Sequence, residues 1–325
     1  MTQTNYNDLP ELAFANTGTF LKSPSTEPSD LPVDADLAVY GAPFDGTVSR
    51  RPGARYGPEK LRQASSWYDH FAGGSDGAYN ADTDRHVAHT EVDLRDCGDV
   101  PTVPNNVERT REQVKGYAKT IAETTFPIML GGDHYLTYPA FDGFAETIDG
   151  DVGLIHLDAH SDTIEGDDLY GDHWHGSPMA CINKSDSGSY ANHAMIGIRG
   201  YERAGFEDLI ESEGLFVKYA RDVREDGIDT AIEAAIEHAS EDTEAVYLTV
   251  DIDAVDPAYA PGTGTPEPGG LTSAQLLRVM DLLGSCDAVG AMDLVEVSPP
   301  LDDDSETTAM LGANAVTRFV ESKFC

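Results

Sequence analysis

Seven short runs of apolar residues recur along the chain, and they restrict the fold more than any other feature of the sequence. The runs occupy residues 37–40, 126–130, 152–157, 194–198, 214–219, 245–250 and 289–297. They are largely continuous and do not alternate with polar residues, which is typical of strands that are covered on both faces. Such strands occur in parallel sheets, so the pattern predicts a mainly parallel sheet in the interior of the protein.

Longer amphipathic segments separate these runs. Residues 105–124 place Val107, Val114, Ala118 and Ile121 near one helical face, after an asparagine that can cap the helix. Two further helix candidates, each beginning on an Asp or Thr cap, are residues 229–239 and 272–284. The repeated order of strand, helix and strand predicts a doubly wound, three-layer α/β/α domain.

The first residues of the chain lack this periodicity. We expect residues 1–34 to form an N-terminal extension, which wraps the surface or mediates contacts between subunits, and residues 35–325 to form the domain. Four cysteines without a Cys-x-x-Cys spacing indicate free thiols in a reducing compartment. The sequence shows no signal peptide and no membrane span, so it predicts a cytoplasmic protein.

The chain is strongly acidic, with 58 Asp and Glu against 21 Lys and Arg and a formal net charge of -37. The acidic residues are spread along the sequence, which is typical of the surface of a protein from a high-salt cytoplasm. At molar salt the Debye length falls to about 3 Å, and the self-repulsion of such a surface is then screened. The charge disfavours nucleic acid and anionic membranes as partners.

Carboxylates and imidazoles follow three of the apolar runs, at the point where each predicted strand ends. These six residues are His134, Asp158, His160, Asp162, Asp251 and Asp253. In open α/β sheets, ligands bind beyond the carboxyl ends of the strands. Anions packed there would repel one another by several kcal/mol, or bind protons, unless cations lay between them. The pattern therefore predicts two divalent cations, and the oxygen-rich donors suit Mn²⁺, with Co²⁺, Ni²⁺ or Zn²⁺ as substitutes.

Six segments resemble the ureohydrolase family, which includes arginases and agmatinases. They are "GAPFDGTVSRRPGARYGPEKLR" (41–62), "GGDH" (131–134), "DAHSD" (158–162), "HGSP" (175–178), "DIDAVDPAYAPGTGTPEPGG" (251–270) and "DLVEVSPP" (293–300). The resemblance covers nearly the whole chain beyond the extension and implies the arginase-like fold. It also implies that two Mn²⁺ per subunit activate a water molecule, which attacks a guanidinium carbon and releases urea and an amine.

The resemblance assigns a role to each matching residue. It implies that one ion is held by His134, Asp158, Asp162 and Asp251, and the other by Asp158, His160, Asp251 and Asp253. Asp158 and Asp251 would then bridge the two ions.

Outside the set of six, the resemblance implies that His175 shuttles protons to the solvent and contacts the substrate. Asp162, which is one of the six, would in addition pass the proton of the water to the leaving amine. Glu296 would pair with the guanidinium, with the Thr265 hydroxyl nearby.

Three neighbouring polar residues are expected to have supporting roles. Asp256 is interpreted as a turn residue that holds its loop. Asp133 is expected to orient an imidazole or a helix, and His156, which lies within a predicted strand, is interpreted as a packed core histidine.

The substrate is less strongly indicated. The chain resembles the agmatinase branch, and it lacks the "SGN" type of segment with which arginases bind the α-carboxylate and α-amino groups of arginine. The acidic residues between Asp162 and His175 favour a cationic far end, so we expect agmatine, cleaved to putrescine and urea in polyamine biosynthesis. A guanidino acid or arginine remains an alternative. The resemblance also implies a homo-oligomer, trimeric or hexameric.

Two rival functions are also considered. A regulatory relative that binds metal or polyamine without catalysis would be expected to have lost ligands. A deacetylase of similar architecture would need one zinc, held by an Asp, a His and another Asp.

Overall fold

The computed structural model describes residues 12–74 and 76–325, and its centre is an eight-stranded sheet. The strands of this sheet are β1 (Leu37–Gly41), β4 (Leu94–Asp99), β5 (Phe126–Leu130), β6 (Val152–Leu157), β7 (His193–Ile196), β8 (Phe216–Lys218), β9 (Ala245–Asp251) and β10 (Val289–Val295). Two further strands, β2 (Ala78–Asn80) and β3 (Arg85–Val87), form a separate antiparallel hairpin. The order in the large sheet is β4, β1, β5, β10, β9, β6, β7, β8, and every pairing in it is parallel.

Helices cover both faces of the sheet. They are α1 (Gly57–Ala72), α2 (Val107–Ala122), α3 (Thr137–Ala145), α4 (Pro178–Asn183), α5 (Phe206–Glu213), α6 (Ala220–Asp226), α7 (Ile228–Ala239), α8 (Ser273–Gly284) and α9 (Thr307–Phe324). Helices α2 to α5 pack on one face, and α1 and α6 to α9 pack on the other. Successive residues of β1 therefore enter different cores: Leu37 and Val39 join one, and Ala38 and Tyr40 the other. The predicted three-layer α/β/α fold is confirmed.

All seven apolar runs are strands, and the three predicted helices exist within two residues of their predicted ends. Thr272 caps α8 with a capping box, in which its hydroxyl accepts from the Gln275 backbone. The predicted cap at Asp229 is wrong, because α7 begins at Ile228 after Gly227. The Asp229 carboxylate instead pairs with Arg278 of α8, at 2.7 Å.

Strand β4 lacks an apolar run, and the sequence did not predict it. Its Asp96 is buried because the guanidinium of Arg62, from α1, donates to both carboxylate oxygens at 2.8 and 3.0 Å. The backbone N–H of Phe20 donates to the same carboxylate at 2.8 Å. Strand β4 thus buries an ion pair beside Leu94 and Cys97, and the charged residues interrupt the continuous apolar run typical of a covered strand.

Part of the predicted N-terminal extension packs closely on the domain. Phe20 and Leu21 are buried, and Leu21 N–H donates to the Ser65 hydroxyl of α1 at 2.8 Å. Residues 1–11 lie outside the described part of the chain. The boundary at residue 34 stays a prediction, as does the contact between subunits.

The sheet order brings the predicted site together. Strands β5, β10, β9 and β6 are neighbours at its centre, and they lead directly to His134, Glu296, Asp251 and Asp158. Leu157 of β6 is opposite Val250 of β9, so the next residues of the two strands leave the sheet side by side. Within the described residues, no helix has the length and apolar character needed to cross a bilayer.

Candidate active site

His134 lies among three carboxylates at the end of β5. Its Nδ1 is 2.9 Å from Asp158 Oδ2, 3.0 Å from Asp162 Oδ2 and 3.2 Å from Asp251 Oδ2. The ring is buried, and Nδ1 has no hydrogen-bond partner in the described part of the chain. Four donor atoms therefore converge on one small volume without bonding to each other.

The other nitrogen of His134 is held by a chain of hydrogen bonds. Nε2 is 3.0 Å from the Thr249 hydroxyl, which donates to Asp293 Oδ1 at 2.6 Å. Because the single hydroxyl proton of Thr249 is donated to Asp293, the Thr249 oxygen accepts the N–H of His134 Nε2. Nδ1 then carries a free lone pair directed at the carboxylates, as in histidines that bind metal ions.

A second cluster surrounds His160. Its Nδ1 lies 3.2 Å from Asp253 Oδ2 and 3.4 Å from Asp158 Oδ1. Asp158 therefore presents one oxygen to His134 and the other to His160. The two clusters share this carboxylate, which is the arrangement expected of a bridging ligand.

The spacing of the donors fits divalent cations. Ligand atoms about 2.1 Å from an ion and at right angles to one another lie about 3.0 Å apart. The distances around His134 and His160, between 2.9 and 3.4 Å, match this spacing. Two cations with mixed oxygen and nitrogen ligands are consistent with this donor set.

The electrostatics of the cluster also require positive charge. Burial, and then repulsion by Asp253 and Asp158, raise the pKa of Asp251 well above its ordinary value. Burial likewise raises the pKa of Asp253, although His160 opposes the shift. Burial acts on Asp158 too, but the neighbouring histidines outweigh it and lower the pKa of Asp158 well below its ordinary value. Asp251 and Asp253 would therefore retain protons unless cations neutralised them. Asp251 directs Oδ2 to His134, while its Oδ1 accepts the backbone N–H of Asp253 at 2.8 Å.

His156 is buried within β6, as predicted, but it also touches the site. Its Nε2 is 2.8 Å from Asp158 Oδ2. With His134 it belongs to a group whose ligand atoms lie within 4.8 Å of one another. Since an imidazole N–H that donates to a carboxylate fixes its orientation, His156 positions Asp158.

His175 joins three segments of the chain. Its Nδ1 is 3.0 Å from Glu296 Oε1, and its Nε2 accepts the backbone N–H of Ser49 at 2.9 Å, with the Ser49 hydroxyl at 2.7 Å. Burial lowers the pKa of His175, but Glu296 outweighs this effect and raises it to about 9. The N–H of Ser49 can donate only to an unprotonated Nε2, so the structure shows the neutral ring, and the protonation that Glu296 favours must break this contact.

Glu296 lies behind His175. Besides its contact with His175, Oε1 accepts the backbone N–H of His134 at 3.1 Å, and the side chain is buried. Thr265 lies in the second cluster, where its hydroxyl donates to Asp253 Oδ2 at 3.1 Å. The roles of Glu296 and Thr265 in substrate binding stay predictions.

Asp162 and Glu296 share an unusual backbone conformation. Their φ angles are 50° and 62°, in the left-handed region that favours glycine. Non-glycine residues in this region cluster at functional sites, where the surrounding structure enforces the strain. Six other non-glycine residues of the described chain, among them Leu21 and Glu306, also have positive φ angles, so the conformation shows local strain at Asp162 and Glu296 and does not by itself mark them as catalytic.

Supporting residues hold the loops around the site. Asp133 accepts both the backbone N–H and the hydroxyl of Thr47, at 3.0 and 2.6 Å, so it fixes the loop that carries Ser49 and does not orient an imidazole directly. Gly132 is required by close approach, since a Cβ there would lie 1.7 Å from the Phe44 carbonyl oxygen. Asp256 accepts the N–H groups of Ala258 and Gly269, which agrees with its interpretation as a turn residue.

A pocket of about 200 Å³ opens above the clusters. Its walls include Asp162, His175 and Thr265, which the sequence predicted, and Ser49, Glu202 and Arg203, to which it assigned no role. The last two lie in a loop after β7 that carries no local pattern. Thr249 and Asp293 were also missed, but their signal is visible as isolated polar residues inside the apolar runs of β9 and β10.

Comparison with known proteins gives the family. The model of the arginase family matches residues 35–321. A guanidinopropionase of Pseudomonas aeruginosa is 34% identical over 92% of this chain and 89% of its own. A mitochondrial agmatinase of Gallus gallus is 37% identical over 86% and 78%. The solved structure of proclavaminate amidinohydrolase from Streptomyces clavuligerus superimposes with a TM-score of 0.84 at 30% identity, over 96% and 99%. The chain belongs to the arginase family.

Proposed function

We propose that this protein is a binuclear manganese hydrolase that converts agmatine and water to putrescine and urea. Its family and its similarity to agmatinases and guanidino-acid hydrolases make it a hydrolase of a guanidino C–N bond. The observation that carries the two-metal proposal is Asp158, whose two oxygens face two separate histidine clusters.

The metal ligands in this proposal are those of the two clusters. They are His134, Asp158, Asp162 and Asp251 on one side, and Asp158, His160, Asp251 and Asp253 on the other. The orphaned Nδ1 of His134 supports the fit, because an imidazole lone pair among carboxylates is satisfied by a cation. Two bound Mn²⁺ would supply a nucleophilic hydroxide at neutral pH and stabilise negative charge.

The proposal assigns the proton transfers to the side chains of Asp162 and His175. Asp162 lines the pocket beside His134, so its carboxylate is placed to accept a proton and to return it to the leaving amine. His175 also lines the pocket and is held between Glu296 and Ser49. His175 can carry protons between the pocket and the solvent, because its hydrogen bond with the Ser49 N–H breaks when Nε2 is protonated and forms again when Nε2 loses the proton.

The charges of the pocket mouth support agmatine. Glu202 lies in the wall, where its two oxygens accept the N–H and the hydroxyl of Ser161 at 2.9 and 2.7 Å. Arg203 lies beside it but is paired with Asp167. Glu202 and Asp167 together place two carboxylates beside the one guanidinium of Arg203, and this excess of acidic groups suits the free ammonium group of agmatine.

A second candidate is hydrolysis of a guanidino acid. The specific observation in its favour is that Arg203, a guanidinium, reaches the pocket wall and could pair with a carboxylate. The guanidinopropionase from Pseudomonas aeruginosa is also similar over nearly the full chain.

The test combines metal analysis with a substrate panel. The purified protein is loaded with MnCl₂, and urea is measured with agmatine, 4-guanidinobutyrate, 3-guanidinopropionate and arginine. We expect two Mn per subunit and the highest kcat/KM for agmatine. Faster turnover of guanidinobutyrate would refute the agmatine assignment, and one metal per subunit without urea would refute the whole proposal.

A further inference from the structure

Arg203 is the lone lysine or arginine among the described residues that line the active-site pocket. Besides the phenol of Tyr201, the other ionisable groups of this wall are carboxylates and histidines, including Asp162, Glu202 and His175. In a chain with 58 acidic and 21 basic residues, a guanidinium at this position needs an explanation. A free guanidinium would attract the far carboxylate of a guanidino acid and repel the ammonium of agmatine.

Asp167 neutralises Arg203. The Oδ2 atom of Asp167 is in direct contact with Nη2 of Arg203, and the two groups form an ion pair. Its Oδ1 accepts the backbone N–H groups of Leu169 and Tyr170, at 2.7 and 3.0 Å. The backbones of Asp167 and Gly171 also exchange two hydrogen bonds, at 3.1 and 2.7 Å, so a tight turn fixes the carboxylate.

The two partners of this ion pair differ in solvent exposure. The Asp167 side chain is 12% exposed, whereas that of Arg203 is 55% exposed. Asp167 is thus held by its own loop, and Arg203 is the more exposed partner, whose guanidinium pairs with this fixed carboxylate. Glu202 cannot take over the role, because Ser161 already binds both of its oxygens.

We infer that Asp167 determines substrate specificity by pairing with Arg203, which withdraws the guanidinium from a carboxylate at the far end of the substrate. The inference rests on the proposed hydrolysis of guanidino compounds, and it names the residue that makes the pocket favour an amine over an acid. Asp167 acts through Arg203 and does not touch the reacting atoms.

The first test is Asp167→Asn. The amide oxygen can still accept from Leu169 and Tyr170, so the turn is kept, while the amide nitrogen no longer binds a guanidinium. We expect the ratio of kcat/KM for 4-guanidinobutyrate to that for agmatine to rise about fivefold, through a lower KM for the acid, since a partly exposed ion pair contributes on the order of 1 kcal/mol.

Arg203→Gln provides the reciprocal variant. It leaves the anion of Asp167 without a partner, so the same ratio should fall about fivefold. The double variant should return close to the wild-type ratio, which a loss of loop structure would not produce. Asp168→Asn is the matched control, because it removes one negative charge from an exposed position in the same loop and should leave the ratio unchanged.

The outcomes separate the two hypotheses. If the wild-type enzyme releases urea from none of the guanidino compounds, the proposed function fails. If it releases urea but the ratios of Asp167→Asn and Arg203→Gln equal those of the wild type and of Asp168→Asn, the function stands and the specificity role of Asp167 is wrong. Movement of both ratios in the same direction would also overturn it.

Discussion

Thr249 offers the sharpest test of the metal centre, because it acts on one histidine only. Its hydroxyl accepts from His134 Nε2 and donates to Asp293, and the residue is buried. Thr249→Val keeps the shape and removes the hydrogen bonds to His134 and Asp293, together with the contact to the Thr137 hydroxyl. Loss of such a partner reduces metal affinity about 10- to 100-fold. The buried N–H left without an acceptor costs about 1–3 kcal/mol, which agrees with this range.

The assay is calorimetric titration of the metal-free protein with MnCl₂. Only the site of His134 should weaken, while the site of His160 should keep its wild-type affinity. Thr137→Val is the matched control, since its hydroxyl is equally buried and lies 3.2 Å from that of Thr249, one step further from the imidazole. We expect a change of less than threefold in that variant.

Two results would refute this reasoning. Unchanged Mn²⁺ affinity at both sites, with a lower melting temperature, would mean that Thr249 contributes to packing alone. Equal weakening of both sites would mean that the two clusters are not held separately, and the assignment of His134 to one ion would be lost.

Three further predictions concern other groups. Asp158→Ala should remove both metal ions and activity, because its two oxygens face different clusters; metal analysis that found one ion retained would contradict this. His175→Ala should lower kcat at least about 100-fold with two Mn retained, and a full rate across neutral pH would exclude the proton shuttle. Burial lowers the pKa of His89, but Asp69 and Glu321 raise it more. Since the folded pKa is the higher one, His89 stabilises the fold fully below about pH 6.5 and progressively less as pH rises through the folded value. The difference in unfolding free energy between wild type and His89→Gln should therefore shrink from pH 6 to pH 9, and urea denaturation that showed it growing would refute the assignment.

The sequence predicted the centre of the fold better than its edges. Strands such as β6 and β9 are covered on both faces, so burial alone dictates their apolar sequence. Strand β4 lies at the edge, and besides Leu94 and Cys97 it buries the ion pair between Asp96 and Arg62, which are 34 residues apart. No local sequence pattern can show that a charged residue such as Asp96 will form an ion pair with a residue distant in the sequence.

The same distinction applies to the site. The six proposed ligands could be found because each lies at or shortly after the end of a strand, and the strand ends converge. Arg203 and Asp167 come from two separate loops, and their pairing depends on how these loops fold over the pocket. The positive φ angles of Asp162 and Glu296 are likewise imposed by the tertiary structure, since neither residue type requires them.

These two backbone conformations have a consequence for engineering. A left-handed conformation costs a residue with a side chain about 1–2 kcal/mol more than glycine. Selection of variants for heat resistance alone would therefore favour glycine at positions 162 and 296, and each gain would delete a carboxylate from the pocket region. With the roles proposed for Asp162 and Glu296, a thermostability campaign on this enzyme has to hold both positions constant, because the glycine variants would lose activity.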